Sequence, residues 1–211
     1  GITTPRDFVG KKIGVLTGTN TEKIYRMLLA KSGVLASQVS EVEAPFDITS
    51  FIQGQYDVRP AFIYDEPVTL KQKFVEYNII DPLSYGVKFV GTVYFTRRAT
   101  LQTREPVVQA FVNSVADGWR AATRRPDEAI AFLKADFPQI DEKREIESLK
   151  IGNNSFVRKD GKILLSIKED WIAMIADLSK LPGSDNKFRE LNLDGIIANQ
   201  YLENYYGKTR K

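Results

Sequence analysis

The chain has 211 residues, enough for one large or two small domains at the usual size of ~100–150 residues each. Its 43% hydrophobic and 27% charged residues fit an ordinary globular protein, and no apolar run approaches the ~20 residues needed to cross a bilayer. The net charge of +3 is spread among acids, which argues against nucleic-acid binding, and the lack of cysteine and histidine removes disulfides, thiolate nucleophiles, the usual zinc ligands and every Ser-His or Cys-His catalytic pair.

A chain without thiols is compatible with an oxidising compartment. The opening Gly1-Ile2-Thr3-Thr4-Pro5 reads as a polar loop start rather than a signal peptide, so any targeting segment is expected to have been removed or to lie outside these residues. The first element is the most informative. In KKIGVLTGTNTE, Lys11 to Glu22, a short β-rich run enters a turn at Gly18 and then a helix that Thr19 and Glu22 begin with capping-box spacing. The helix turns Ile24, Met27 and Leu28 inward and ends near Gly33. Val39 to Ala44 predicts a second strand. Asp47 caps a short helix, ITSFIQ, closed by Gly54. A third strand is expected within Val58 to Tyr64, with Pro60 marking it as an edge or irregular strand. Pro67 suits the first turn of the next helix, and Asn78 to Ile80 reads as a further strand. Strands alternating with helices predict a mostly parallel sheet, whose ligands bind beyond the carboxyl ends of the strands.

The pattern changes near Tyr85. Lys88 to Thr96, KFVGTVYFT, predicts a long strand, and helices follow. Pro106 begins one that places Val108, Phe111, Val112, Val115 and Trp119 on one face, and Pro126 begins another with Ile130 and Leu133 inward. A third is expected over Glu142 to Leu149. Ser166 with Glu169 caps a fourth carrying Ile167, Trp171, Met174, Ile175 and Leu178. A loop from Leu181 to Arg189 precedes the last segment, NQYLENYYG, and the basic tail Lys208 to Lys211 reads as a solvated end or the start of a linker. Tyr94 and Trp119 read as packing residues.

Two clusters stand on the expected rim of the sheet. Thr17, Thr19, Asn20 and Thr21 offer hydroxyl, amide and backbone donors, and a helix start favours an anionic or carbonyl group, although Glu22 already occupies the positive end. Read on its own residues, the same stretch is more simply a well-capped helix start. Asp65 and Glu66 can accept hydrogen bonds from an amine, with Tyr64 offering a stacking face, or they form a solvated turn before a proline-started helix. With no Arg or Lys in that turn, two carboxylates disfavour a free sulfonate or nitrate and favour an amine-bearing or aminopyrimidine-like compound.

Taken in order, TPRDFVGKKIGV, TGTNTE, KSGV, GQYDV, YDEPV, the block from Tyr85 to Leu133 and the closing LDGIIANQYLENYYG resemble the solute-binding proteins of ABC importers. The similar branch handles nitrate, sulfonates, taurine and thiamine pyrimidine precursors (SsuA/THI5-like). The resemblance implies an α/β, type II periplasmic-binding-protein-like fold. Residues 7–86 would form one α/β lobe, and residues 87–211 the return strand and helices of the other. It also implies a non-catalytic clamp for a small polar molecule held between lobes by Thr17, Thr19, Asn20, Thr21, Tyr64, Asp65 and Glu66. No cofactor or metal is expected. The partners implied are a small-molecule ligand and an ABC transporter permease, in a periplasmic or extracytoplasmic setting, membrane-associated through a partner or a segment absent here.

Arg59-Pro60 stands where relatives carry small residues, which predicts an altered strand there. Relatives also carry residues ahead of the position matched by Gly1. Exposed apolar surface is therefore expected on Lys88 to Thr96 or its neighbouring helices, covered by a dimer or a complementing chain. Two other functions fit the same resemblance: a ligand-sensing domain of a membrane signalling protein, and an enzyme similar to the thiamine pyrimidine synthases that consume one of their own histidines. The absence of histidine argues against the second.

Overall fold

In the computed structural model, residues 1–184 and 191–208 are described, and they form two compact units. The first unit comprises Gly1–Val90 with Glu169–Leu191, and the second comprises Gly91–Lys168 with Asn192–Lys211.

The first unit is built on two parallel strands, β1 (Lys12–Val15) and β2 (Ser40–Glu43), in register from Lys12 opposite Ser40 to Val15 opposite Glu43. On the other side of β1, Ile13 bridges Val58 in parallel, with the Gly14 N–H donating to the Val58 carbonyl at 2.8 Å. Helix α1 (Asn20–Ser32) connects the strands. It ends at Gly33, whose φ of 71° is left-handed, and the Val34 N–H closes the end on the Leu29 carbonyl at 3.1 Å. Phe8, Ile13, Val15, Tyr25, Met27, Leu28, Leu29, Val34 and Val87 form the core, and Ile24 packs against it. Gly14 leaves room for Tyr56. A Cβ there would lie 2.8 Å from the Tyr56 ring, which also packs with Leu16 and Ala44.

Two short helices follow, α2 (Thr49–Ile52) and α3 (Glu66–Gln72), the latter with Pro67 in its first turn as expected. Asp47 accepts the Thr49 N–H at 2.8 Å, one residue ahead of the position that flanks α2. The expected strands over Val58 to Tyr64, Asn78 to Ile80 and Lys88 to Thr96 do not form ladders. Among the described residues the sheet has two strands plus the single bridge at Val58. Pro60 has no N–H to continue the pairing beyond Val58, and the other two runs have no described strand beside them to bond. High β-propensity specifies a strand only where a neighbour completes it.

The second unit is helical: α4 (Arg98–Thr103), α5 (Glu105–Arg124), α6 (Pro126–Asp136), α7 (Glu142–Phe156) and, at the end of the chain, a last helix over Gln200–Lys208. Helix α7 runs past the expected Leu149. Helix α8 (Lys168–Leu178) lies almost wholly in the first unit; with its label given, the last helix is α9. α8 begins too late for Ser166 to cap it, because the amide of Asn199 holds the Ser166 backbone from both sides, at 3.1 and 2.7 Å. Around α5 and α9, Ala116, Leu202 and Tyr205 are buried together, while Phe111 (51% exposed) and Leu133 (40%) face outward, contrary to expectation. Tyr94 is also exposed: it accepts the indole N–H of Trp119 at 3.2 Å and meets Phe111 edge-on. Val93 and Phe95 beside it are 40% and 92% exposed, so the apolar surface expected on this run is present. The loop from Leu181 to Arg189 lies partly, and the tail Lys208 to Lys211 almost wholly, outside the described residues.

Helix α8 is fixed to the first unit by charge as well as by Leu178 packing on its core. The buried carboxylate of Asp177 meets Lys31 at 2.8 Å and Lys180 at 3.4 Å, and Lys88 meets Asp170 at 2.8 Å.

Candidate ligand-binding site

The parallel arrangement sends the turns after β1, β2 and Val58 to one edge of the first unit. After β1 the chain passes Thr17 and Gly18 (φ 80°) into α1. Thr19 caps this helix, its hydroxyl accepting the Glu22 N–H at 3.3 Å and donating to the Leu16 carbonyl at 2.6 Å, with the Thr21 hydroxyl 2.7 Å away. The return arm of the expected capping box is shifted by one residue. Glu22 accepts the Gly18 N–H at 2.7 Å because the Thr19 N–H is already bonded to Leu16.

Glu43 adds a second carboxylate that sequence reasoning did not single out. At the end of β2 it accepts the Thr17 N–H at 3.3 Å and also the Thr17 hydroxyl. The signal was its position, the last residue of a strand paired with the strand that ends at the turn. The backbone donors of Thr17 and Gly18 are therefore filled by the protein's own carboxylates. Asn20 is exposed at the first position of the helix, and Thr21 is half-buried.

The third turn carries Tyr64, Asp65 and Glu66. Glu66 stands at the start of α3, where its carboxylate accepts the Phe62 N–H at 2.8 Å and meets the Arg59 guanidinium at 3.3 Å. Arg59 also donates to the carbonyls of Asp47 at 2.7 Å and Phe46 at 3.2 Å, with only 3% of its side chain exposed. Arg59 is thus a strut that ties the turn after β2 to the start of α3. It also corrects the expectation of a turn without a nearby cation: Glu66 has one, and Asp65 beside it is exposed. Tyr64 is half-buried, and Phe62 stacks on it at 5.6 Å. Burial first, and then the charges of Asp65 and Glu66, raise its hydroxyl above the ordinary tyrosine range, so it stays a hydrogen-bond donor.

Behind this edge Glu41 anchors α1 to β2. It takes the Arg26 guanidinium in two hydrogen bonds and the Tyr25 hydroxyl in a third, and the bonds from Arg26, reinforced by Tyr25, hold its carboxyl below the ordinary range. Among the described residues no cluster of acidic side chains is arranged to hold a metal, and no helix is long and apolar enough to cross a membrane. The edge can therefore offer hydroxyls, an amide and carboxylates to a polar molecule, with the backbone donors of Thr17 and Gly18 already occupied.

Solved structures share this fold. The alkanesulfonate-binding protein SsuA from Xanthomonas axonopodis pv. citri, bound to MOPS, matches with a TM-score of 0.63 at 16% identity over 85% of this chain. A protein from Bordetella bronchiseptica RB50 matches with a TM-score of 0.62 at 18% identity over 100% of this chain. The chain spans 59% of the length of the first and 68% of the second. No curated protein matches it. The fold is the helix-rich α/β arrangement, with a small parallel sheet, of periplasmic-binding-protein-like structures. The NMT1/THI5-like family model matches residues 1–129, more than half of the sequence, and the chain belongs to that family.

Proposed function

We propose that the chain binds a small polar molecule without transforming it, as an extracytoplasmic component that serves an ABC-type importer. Family membership supports solute binding, and the residues proposed to meet the ligand are Thr17, Thr19, Asn20, Thr21, Tyr64, Asp65 and Glu66. One observation carries the choice of ligand: the Thr17 and Gly18 N–H groups, which would otherwise receive an oxyanion at the start of α1, are filled by Glu43 and Glu22. A sulfonate or nitrate arriving there would meet two carboxylates in place of two donors. An amine-bearing or aminopyrimidine-like ligand can instead donate to Asp65 and to the carboxylate edge.

The test is calorimetry of the protein against two panels, aminopyrimidines with small amines and methanesulfonate with nitrate. The first panel is expected to contain a ligand, with Asp65→Asn weakening it by ~10-fold or more, the size of a lost charge-assisted hydrogen bond. Glu43→Gln is expected to admit the second panel. Tight binding of methanesulfonate or nitrate by the unaltered protein defeats the ligand assignment, and conversion of any bound compound defeats the non-catalytic one.

A further inference from the structure

On the second unit, a hollow of about 430 Å³ is lined by Asp117, Arg120, Ala121, Arg124 and Arg125. These residues follow helical spacing along one face of α5 and end at Arg125, which links α5 to α6. Asp117 and Arg120 are held from below by Tyr205 of α9, a residue only 4% exposed. Its hydroxyl donates to Asp117 at 2.6 Å and accepts from Arg120 at 3.0 Å. Arg125 is paired with Glu128 at 2.9 Å. Arg124 is exposed and has no described carboxylate partner.

Arg120 and Arg124 are four residues apart, so their guanidinium groups repel along the helix, a spacing that lowers stability unless an anion lies between them. The one carboxylate on the same face, Asp117, accepts the Tyr205 hydroxyl and keeps its charge beside Arg120, one turn before Arg124. Arg120 is pre-set by its hydrogen bond and by its stacking over the Tyr205 ring at 5.8 Å. The first turn of α6, which begins at Pro126, carries Asp127 and Glu128, and these pair with Lys150 at 3.8 Å and with Arg125 at 2.9 Å, so Arg120 and Arg124 are the groups that face the hollow.

We propose that this hollow is a binding site for a tetrahedral oxyanion, a phosphate or a phosphate monoester, gripped by Arg124 and Arg120. Guanidinium groups match such an anion in paired hydrogen bonds, and the hollow exceeds the size of phosphate alone, which leaves room for an ester substituent. The site lies on different elements from those proposed to hold the transported ligand, and it does not depend on that ligand.

The experiment titrates the protein with inorganic phosphate and, separately, with glycerol phosphate, both against chloride at equal ionic strength. The readouts are calorimetry and the side-chain N–H resonances of arginine. The expected result is saturable binding that shifts the Arg124 and Arg120 signals, falls by ~10-fold or more in Arg124→Gln and is partly kept in Arg124→Lys. A tighter glycerol phosphate complex identifies the ester as the preferred source, and equal affinity identifies the free anion. Arg124 is exposed, so its substitution leaves the fold intact, and an unchanged thermal midpoint verifies this. Binding that does not saturate, that chloride reproduces, or that Arg124→Gln leaves unchanged overturns the proposal. So does attraction seen only with polyglutamate, which marks a diffuse acidic-protein contact.

Discussion

Arg59 and Glu66 form a largely buried ion pair at 3.3 Å across a turn that also holds two backbone carbonyls, those of Phe46 and Asp47. The guanidinium spends its remaining donors on those two carbonyls of the turn after β2 and, through Nε, on the Pro60 carbonyl at 3.1 Å, so the pair is part of a framework rather than an isolated contact. Arg59→Met leaves Glu66 with a largely buried charge and leaves three carbonyls, those of Phe46, Asp47 and Pro60, without this donor. A loss of ~3–5 kcal/mol is expected in denaturant unfolding, with Arg59→Lys recovering only part because it lacks the planar fork. In the double variant Arg59→Met, Glu66→Leu the loss is expected to shrink, since no lone charge remains. Equal losses in the single and double variants would show that the carbonyl contacts alone matter.

Gly14→Ala places a methyl 2.8 Å from the Tyr56 ring, with the Ala44 side chain at 3.1 Å. β1 is fixed by pairing on both sides, so the ring has to move. Overpacking of this kind costs ~1–3 kcal/mol. Tyr56→Leu in the Gly14→Ala background should return part of that loss, which thermal unfolding of the two variants measures. A Gly14→Ala protein as stable as the parent would mean that the ring shifts freely.

Glu41 gives the first unit an acid limit. Its carboxyl is held below the ordinary range by hydrogen bonds from Arg26, so the folded state favours the ionised form. The associated stability is fully present above the unfolded carboxylate range of ~4.3 and is lost as the pH falls through the lower folded value. Unfolding midpoints should therefore drop on acidification below ~4.3, and the drop should be smaller in Glu41→Gln, which carries no ionisable group there. Matching acid profiles for the two proteins would remove Glu41 from this role.

Local chemistry made much of the first unit readable. β1, the Thr19 cap, the Gly33 stop, β2 and the proline-started α3 all follow from spacing and from residues with one strong preference. What was not readable depends on partners distant in sequence. KFVGTVYFT has the composition of a strand, but a ladder needs a second chain segment, and composition does not say where that segment is. Phe111 and Leu133 satisfy helical periodicity yet face outward, because periodicity gives the apolar stripe of a helix and not the presence of something to cover it. At the candidate site the sequence picked out two turns but treated their side chains as available. Glu43 and Arg59, separated in sequence from the groups they hold, decide which donors and acceptors are already taken.

The clamp of Asp177 on Lys31 has a consequence for how the protein is made. A ribosome emits residues 1–90 long before α8, at ~5–20 residues per second, yet Leu178 and Leu181 pack on the core of that first unit. Its apolar face therefore stays open while the whole intervening helical segment is synthesised. Folding of the first unit is thus completed only after Asp177 and Leu181 have left the ribosome.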